Sequence, residues 1–246
     1  MTDALFVDVY PGDRPCDWRA YIAAGAQWHG AIFKVSQGLD YRYDAWAARQ
    51  RGAFALSARL GVDLFVGCYH YLTLHQGGSL QADFAITAAN AAGLKDGSLG
   101  TMPLMVDVER GGQRNQNPSR DQVEGVTRAF AARYTERTGR EATLYGGELL
   151  RSVGCTDRLG CGRSAVALYG RELHGKGEST AEFLRRTGTD LEHLMLWQYS
   201  AAGQRSPGPA GYPMTAPGCG AVDISALVLP GGIEALRRIS GPAPAM

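Results

Sequence analysis

Short apolar runs alternate with helix-forming segments along the chain, and this alternation constrains the fold more than any other feature of the sequence. Five runs, at residues 4–9, 30–38, 64–71, 104–106 and 142–145, have the length and composition of buried strands. Segments with helical spacing of apolar residues separate them at 18–24, 44–60, 80–92 and 120–138. Asp17, Ser79 and Ser119 are favourable N-caps for three of these helices, and Gly139 ends the last of the four. Four successive strand-and-helix units predict parallel strands joined by right-handed crossovers.

The alternation continues more weakly in the second half of the chain. Brief apolar runs at 165–169, 194–199 and 221–224 lie between Gly-rich loops and poor helical segments, which brings the count to eight strands. In a chain of 246 residues this predicts a single (β/α)8-like barrel of the α/β class whose last helices are short or missing. The barrel domain covers residues 1–239 in this interpretation, and residues 240–246 form a disordered tail. A doubly wound open sheet is the alternative, but no Gly-rich phosphate loop follows any run.

Two acids follow the strand predicted at 104–106. Asp107 and Glu109 are two residues apart, which in an extended chain puts both side chains on one side with Cα atoms roughly 6.5 Å apart. Like charges this close push one carboxyl toward its protonated form. A protonated acid beside a carboxylate is the arrangement that cleaves glycosidic bonds. The alternative is a solvated strand end at which Arg110 or another cation pairs the acids.

Polar and aromatic residues gather where the predicted strands end. In a parallel barrel these ends meet at one rim, where functional groups collect. The residues concerned are Asp8, Gln37, Tyr69, His70, Tyr71, Asp107, Glu109, Tyr145, Trp197, Gln198, Tyr199 and Asp223. Acids, amides and aromatic rings are typical of a carbohydrate site.

Some of these residues are predicted to bind the substrate. They are Gln37, Tyr69, Tyr145, Trp197 and Tyr199. For the aromatic residues, ordinary core packing is an open alternative. His70 alternates with two tyrosines and is expected to be a buried histidine with satisfied hydrogen bonds.

The overall charge and the cysteines argue against other kinds of partner. The net charge is +1 and no basic block occurs, so neither nucleic acid nor an anionic membrane is expected as the principal partner. No apolar run approaches the roughly 20 residues of a membrane helix. Five cysteines without zinc spacing predict neither a disulfide scaffold nor a metal site, and no cofactor is expected. Cys155 and Cys161 could pair in an oxidising compartment, whereas Cys68 is expected to be a buried thiol.

Taken together, the motifs resemble glycoside hydrolase family 25, the lysozymes that cleave peptidoglycan glycan strands. The resemblance is carried by residues 7–9, 17–18, 33–38, 67–71, 81–82, 104–109, 145–146, 197–200 and 222–224. These motifs follow the family's order across nearly the whole chain. The resemblance implies a flattened, irregular barrel that hydrolyses the β-1,4 bond between N-acetylmuramic acid and N-acetylglucosamine.

The resemblance also implies roles for the acids. Glu109 is the general acid that protonates the leaving oxygen, and Asp107 stabilises charge or positions the substrate's acetamido group. Asp8 and Asp223 match the family's other two site carboxylates. The spacing of Asp107 and Glu109 does not decide between retention and inversion. A substrate-assisted route, in which the sugar's own N-acetyl oxygen attacks, is favoured.

Two positions depart from the family's pattern. Asp8 is followed by Val-Tyr-Pro-Gly-Asp at 9–13, where the family usually has a Ser and a Gln-Gly, and Gln37 stands where the family often has Glu. These changes leave open a barrel that binds glycan without turning it over. A hydrolase that acts on a chitin-like N-acetylated polymer is the second alternative.

The expected substrate, the peptidoglycan glycan strand, lies outside the cytoplasmic membrane, yet the N-terminus has no basic region or cleavage site. We therefore expect a monomer that is made in the cytoplasm without a cleavable signal peptide and acts on the cell wall, in the periplasm or outside the cell. Release by a phage lysis system fits this expectation. So does a specialised bacterial secretion apparatus, for which an immunity protein is an expected partner.

Overall fold

The computed structural model describes residues 4–25, 27–56, 64–95, 100–111, 114–155, 158–169, 182, 184–185, 189–201 and 212–240. Within these residues one sheet contains nine strands. They are β1 Leu5–Val9, β2 Trp28–Gln37, β3 Tyr41–Arg42, β4 Phe65–Tyr71, β5 Met105–Val108, β6 Thr143–Gly146, β7 Arg163–Ala167, β8 Leu194–Ser200 and β9 Asp223–Leu227. The helices of the same residues are α1 Trp18–Ala23, α2 Asp44–Ala55, α3 Gly78–Ala91, α4 Arg120–Thr138, α5 Glu148–Ser152 and α6 Gly232–Ile239.

The sheet closes into a barrel because β1 pairs with both β2 and β9. The ring runs in the order β1, β2, β4, β5, β6, β7, β8 and β9, so the predicted eight-stranded α/β barrel is confirmed. The remaining strand, β3, pairs with the end of β2 as a short antiparallel hairpin. The apolar pattern does not indicate β3, since both of its residues are exposed.

The direction of the last strand differs from the prediction. β9 runs antiparallel to its neighbours β1 and β8, whereas the other seven strands of the ring are parallel. Asp223 is the first residue of β9 and pairs with Asp8 near the C-terminal end of β1. The reversal therefore brings the beginning of β9 to the rim where the parallel strands end.

The prediction that Ser79 caps the third helix is wrong, because α3 already begins at Gly78 and Ser79 lies within it. The helix signals of the sequence hold at three other termini. The Asp17 carboxylate accepts hydrogen bonds from the backbone N–H groups of Arg19 and Ala20, and so caps α1. The Ser119 hydroxyl caps the first turn of α4 in the same way. α4 ends before Gly139, whose φ of 72° is a left-handed conformation that favours glycine. α5 has only five residues, which agrees with the prediction of short helices late in the chain.

Strand residues alternate between two apolar layers, as the period of a β-strand requires. One layer lies inside the barrel and includes Phe6, Ile32, Met105 and Met195. The other layer lies between the strands and the surrounding helices, and includes Phe130 of α4. This alternation decides which side chains of each strand reach the interior of the barrel and its rim.

A disulfide joins Cys16, which precedes α1, to Cys219, which precedes β9; the two Cα atoms are 4.2 Å apart. The pairing considered for Cys155 and Cys161 is wrong, because both are buried thiols. Cys68 is a buried thiol, as expected. The bonded cysteines are separated by 203 residues, so their spacing in the sequence carries no sign of the pair.

The last helix ends the described part of the chain. α6 stops at Ile239, and Ser240 after it is buried, so Ser240 belongs to the folded barrel. The rest of the tail predicted at 240–246 lies outside the described residues. None of the helices in the described residues combines the length and the hydrophobicity needed to span a membrane.

Candidate active site

Four carboxylates meet at the rim where the parallel strands end. Asp8 comes from β1, Asp107 from β5, Glu109 from the residue after the end of β5, and Asp223 from β9. Together with Tyr69, Tyr145 and Met105 they line one cleft. The four acids predicted as catalytic residues are therefore brought together.

The alternation of β5 explains why two of these acids share a side. Val106 and Val108 belong to the outer apolar layer, whereas Met105 belongs to the layer inside the barrel. Asp107 and Glu109 follow the parity of Met105 and line the same cleft. The spacing argument for the acidic pair is thus correct.

Burial and neighbouring charges raise the pKa values of both acids. Asp107 is 4% exposed, and burial, followed by the charge of Glu109, holds the pKa of Asp107 well above its usual range. Burial and the charge of Asp223 raise the pKa of Glu109 to about 7, against an opposing effect of Lys34. Glu109 therefore carries a proton over much of the range up to neutral pH.

Asp107 also has an unusual hydrogen-bonding state. Its Oδ1 is buried, and no residue within the described ranges bonds to that atom. A buried acceptor left in this condition costs roughly 1–3 kcal/mol, so natural proteins keep few of them. Oδ1 is therefore positioned to accept a hydrogen bond from a bound molecule.

Asp8 and Asp223 are direct partners across the β1–β9 pairing. Burial, followed by the charge of Asp223, raises the pKa of Asp8 well above its usual range, and Asp13 adds to the effect. Gln198 of β8 donates from Nε2 to Oδ2 of Asp223 over 3.0 Å, which fixes that carboxylate.

Asp13 is a fifth acid close to the cluster, and the sequence reasoning did not assign it to the site. Its carboxylate accepts a hydrogen bond of 2.8 Å from the backbone N–H of Tyr10, within the 9–13 segment that departs from the family's pattern. Burial is the main reason that the pKa of Asp13 rises to about 6, and Asp223 contributes. The altered segment thus adds negative charge beside Asp8.

Lys34 is the second residue that the sequence reasoning missed. Its Nζ lies over the rings of Tyr71, Tyr69 and Tyr43, at 5.1, 5.6 and 5.9 Å from their centroids. Burial lowers the pKa of Lys34, whereas the charges of Asp107 and Asp8 oppose that shift. The alternation of side chains along β2 could have identified it, because Lys34 lies two residues after the inward-facing Ile32 and therefore has the same orientation.

Asn115 holds the backbone of the loop that carries Glu109. Its Nδ2 donates to the carbonyl oxygens of Glu109 and Leu72, at 3.0 and 2.8 Å, and its Oδ1 accepts from the N–H of Leu74 at 2.9 Å. The Tyr71 hydroxyl donates to the same Glu109 carbonyl at 2.9 Å. The backbone position of Glu109 is therefore fixed from two directions.

The predicted substrate-binding residues divide into three groups. Tyr69 and Tyr145 line the cleft with the acids. Gln37 ends β2 opposite Tyr71 and Tyr41, and is not among the residues that line the carboxylate cleft. The other two, Trp197 and Tyr199, do not join the site.

For Trp197 and Tyr199 the prediction of substrate contact is corrected. Both are 1% exposed and pack in the outer layer. Trp197 Nε1 donates to the carbonyl of Leu168 at 3.1 Å, and the Tyr199 hydroxyl donates to the carbonyl of Pro213 at 3.0 Å. The residue between them, Gln198, has the opposite parity and reaches the cluster.

His70 has the structural role that the sequence predicts. It is fully buried, its Nδ1 lies 2.8 Å from the Ser36 hydroxyl, and its Nε2 lies 3.2 Å from Oε1 of Gln81. Burial lowers the pKa of His70 to about 4, so the ring is neutral at physiological pH. Its ring stacks on Phe130 of α4, on the outer side of the strand.

The fold and the site together indicate a class of protein, because a closed α/β barrel carries four carboxylates at one rim. An acid that keeps its proton near neutral pH, beside further carboxyl groups in a buried cleft, is what glycosidic cleavage requires. The fold and the site are therefore those expected of a glycoside hydrolase.

Comparison with known proteins identifies the family. The model of Glycosyl hydrolases family 25 matches residues 7–207, so the chain belongs to this family. A comparison with curated proteins gives no significant match.

Solved structures of similar fold agree with this assignment. The bacterial lysozyme from Streptomyces coelicolor has 20% sequence identity and a TM-score of 0.68, with 98% of each chain covered. The family GH25 lysozyme from Aspergillus fumigatus has 18% identity and a TM-score of 0.66, covering 98% of this chain and 100% of that one. The catalytic domain of endolysin ply40 from bacteriophage P40 of Listeria monocytogenes has 17% identity and a TM-score of 0.59, covering 97% and 98%. At these identities the likeness concerns the fold.

Proposed function

We propose that this protein is a muramidase, which hydrolyses the β-1,4 bond between N-acetylmuramic acid and N-acetylglucosamine in peptidoglycan. Membership of family 25 and a fold shared with proteins described as lysozymes support the proposal. The observation that carries it is the meeting of four carboxyl groups in one cleft, in which burial raises the pKa of Glu109 to about 7, a value that suits a general acid.

In the first step Glu109 donates its proton to the oxygen of the scissile bond. The bond from that oxygen to C1 of the muramoyl residue breaks, and the N-acetylglucosamine side leaves with a hydroxyl group. Burial of Glu109 keeps the proton available at neutral pH. The backbone contacts of Asn115 and Tyr71 hold the loop that carries the acid.

The attack on C1 comes from the substrate's own acetamido oxygen in this proposal. As that oxygen bonds to C1, the acetamido nitrogen gains positive charge and its N–H becomes a stronger donor. The unbonded, buried Oδ1 of Asp107 supports a role as the acceptor for this N–H, and the positive charge that develops there favours the ionised form of this carboxyl group, whose pKa burial otherwise raises. Water then attacks C1 as the bond from C1 to the acetamido oxygen breaks, Glu109 takes a proton from that water, and a reducing N-acetylmuramic acid with its acetamido group restored is released.

Asp8 and Asp223 stabilise the positive charge that develops on the sugar ring. Their direct pairing across β1 and β9 puts two carboxyl groups on one side of the cleft, and the positive charge that develops on the sugar favours their ionised forms. Tyr69 and Tyr145 supply apolar walls for the sugar. Gln37 remains a proposed substrate contact at the edge of the site.

The proposed substrate sets the place of action at the cell wall. The disulfide between Cys16 and Cys219 fits an oxidising compartment outside the cytoplasm. Phage-mediated lysis and specialised secretion are both proposed routes of delivery. An immunity protein is the partner proposed for the secretion route, and we propose that the enzyme acts as a monomer.

The identity of the cleaved bond can be tested with two polymers. The purified protein is incubated with peptidoglycan and, in parallel, with chitin oligomers, and the products are analysed by mass spectrometry. We expect peptidoglycan fragments that end in reducing N-acetylmuramic acid. Fragments that end in reducing N-acetylglucosamine, or turnover of chitin alone, would refute the muramidase proposal.

A further inference from the structure

The β2–β3 hairpin presents an exposed aromatic ring at the rim of the barrel. Tyr41 of β3 is 47% exposed and pairs with Gln37 at the end of β2. Tyr43, two residues later, has the same parity and is partly buried. About half of the Tyr41 side chain is therefore accessible to a ligand at the rim.

Hydrogen bonds hold this hairpin in place. Oε1 of Gln76 accepts from the N–H of Leu39 at 2.8 Å and from the hydroxyl of Thr73 at 2.6 Å. The N–H of Tyr43 donates to the carbonyl of Val35 at 2.8 Å. The exposed ring is therefore carried on a fixed backbone and loses little freedom when a ligand binds.

A cation further restrains the ring of Tyr41. The guanidinium carbon of Arg114 lies 5.4 Å from the centroid of that ring, and Arg114 Nη1 donates to Asp40 over 3.2 Å. Asp40 belongs to the turn that joins β2 to β3. Arg114 thus contacts both the ring of Tyr41 and the turn that precedes it.

A row of ring–ring and cation–ring contacts leads from Tyr41 to the carboxylates. The rings of Tyr41 and Tyr43 are nearly parallel, with an interplanar angle of 5° and centroids 6.4 Å apart. Lys34 Nζ lies over the ring of Tyr43 and also over the ring of Tyr69. Tyr69 lines the cleft that contains the acid Glu109. A polymer that enters the cleft along this row passes over Tyr41 and Tyr43 first.

We propose that Tyr41 and Tyr43 form a distal sugar subsite, on which a pyranose ring of the N-acetylated glycan strand stacks while the scissile bond lies at Glu109. The apolar C–H face of a pyranose complements the negative face of an aromatic ring. This inference rests on the proposed function, because it assumes that the cleft takes a glycan chain. Its consequence is that affinity increases once a fragment is long enough to reach the hairpin.

The test measures binding, so that it does not depend on turnover. Glycan fragments of graded length, prepared from peptidoglycan, are titrated into Glu109→Gln protein by calorimetry. The same titrations are made with Tyr41→Ala, Tyr41→Phe and Leu80→Ala in the Glu109→Gln background. Leu80 is a matched surface control, since it is 62% exposed on α3.

The expected result is a loss of affinity that depends on length. Tyr41→Ala should bind the longest fragments about tenfold more weakly, the order expected for one lost aromatic contact, and should bind the disaccharide almost as before. Tyr41→Phe and Leu80→Ala should keep the full affinity at every length.

The possible failures separate the two proposals. Equal affinities of Tyr41→Ala and its parent at every length would overturn the distal subsite and leave the muramidase proposal intact. Binding that depends on length and on Tyr41, in a wild-type protein that releases no reducing ends, would support the subsite and overturn the muramidase. If no protein binds any fragment, both are overturned.

Discussion

Asp8 and Asp223 face each other across the antiparallel pairing of β1 and β9, at the rim where the other seven strands of the barrel end. Side chains of directly paired residues lie on one face with Cβ atoms about 5 Å apart, and like charges in such pairs destabilise the sheet. Asp223 also raises the pKa of Glu109. Burial is the main reason that the pKa of Glu109 is raised, and the last strand supplies a charge that adds to this effect.

Removal of the Asp223 charge should shift the pH dependence of activity. Because Asp223 raises the pKa of Glu109, Asp223→Asn should lower that pKa and move the alkaline limb of kcat/KM to lower pH by roughly 0.5–1 pH unit. The measurement is reducing-end release from peptidoglycan between pH 4 and 9. An alkaline limb that stays in place, or moves upward, would disprove the coupling.

Lys34 should act in the opposite direction. It lies close to the acids and lowers the pKa of Glu109, so Lys34→Met should move the alkaline limb to higher pH. It should also reduce kcat roughly tenfold or more, since one charge of the preorganised site is lost. Lys34→Arg keeps the charge and should restore most of the pH profile. If Met and Arg variants share one profile, charge is not the role of Lys34.

The raised pKa of Glu109 should be visible in protein stability. The folded state holds this proton up to about pH 7, whereas the unfolded state releases it near pH 4.5. The unfolded state therefore binds fewer protons in that interval, and the free energy of unfolding falls as pH rises through it. Glu109→Gln removes this loss, so it should stabilise the protein at pH 8 by about 1–3 kcal/mol.

Urea denaturation of wild type and Glu109→Gln at pH 4 and pH 8 measures this effect. At pH 4 the two proteins should have nearly equal stability, because Glu109 is mostly protonated in the folded and in the unfolded state. A variant that is equally stabilised at both pH values would show that packing, rather than the buried charge, is responsible.

Asn115 should be important for activity although it lies outside the cleft. Its side chain donates to the Glu109 and Leu72 carbonyls and accepts from Leu74, and its φ is 53°. Asn115→Gly tolerates that φ and removes only the side-chain bonds, whereas Asn115→Ala also strains the backbone. Asn115→Gly should destabilise the protein by roughly 1–3 kcal/mol and lower kcat, and Asn115→Ala should be less stable still.

Thermal unfolding and initial rates for the two variants check this prediction. Asn115→Gly with unchanged kcat would mean that the position of Glu109 does not depend on the Asn115 amide.

The pair Asp107 and Glu109 could be predicted from the sequence because period two is a strong local rule, whereas the site roles of Asp8 and Asp223 follow from the family resemblance. Asp107 and Glu109 follow an apolar strand, and their shared side is the one that the structure has. The sequence predicts the correct rim for Asp223, but for the wrong reason, because it treats the last strand as parallel to the others. Its strand is antiparallel, so the residue begins β9 rather than ending it.

Other residues depend on parity or on contacts that are distant in the sequence. Trp197 and Tyr199 flank Gln198. All three side chains carry a polar group, so the sequence pattern does not indicate which of them faces inward. Lys34 lies within an apolar strand, where a single cation gives no sign of its partners from other strands. The pairing of Cys16 with Cys219 depends on the closure of the barrel, which brings β9 beside β1.

The central claim is that Glu109 is the acid of a muramidase, and reducing-end release from purified peptidoglycan tests it most directly. Wild type is compared with Glu109→Gln and with Glu192→Gln, an exposed control. We expect fragments ending in reducing N-acetylmuramic acid from wild type and the control, and a loss of roughly 100-fold or more with Glu109→Gln. Comparable release by Glu109→Gln would contradict the role of Glu109. If all three proteins leave the glycan intact, the claim that the protein is a muramidase is contradicted.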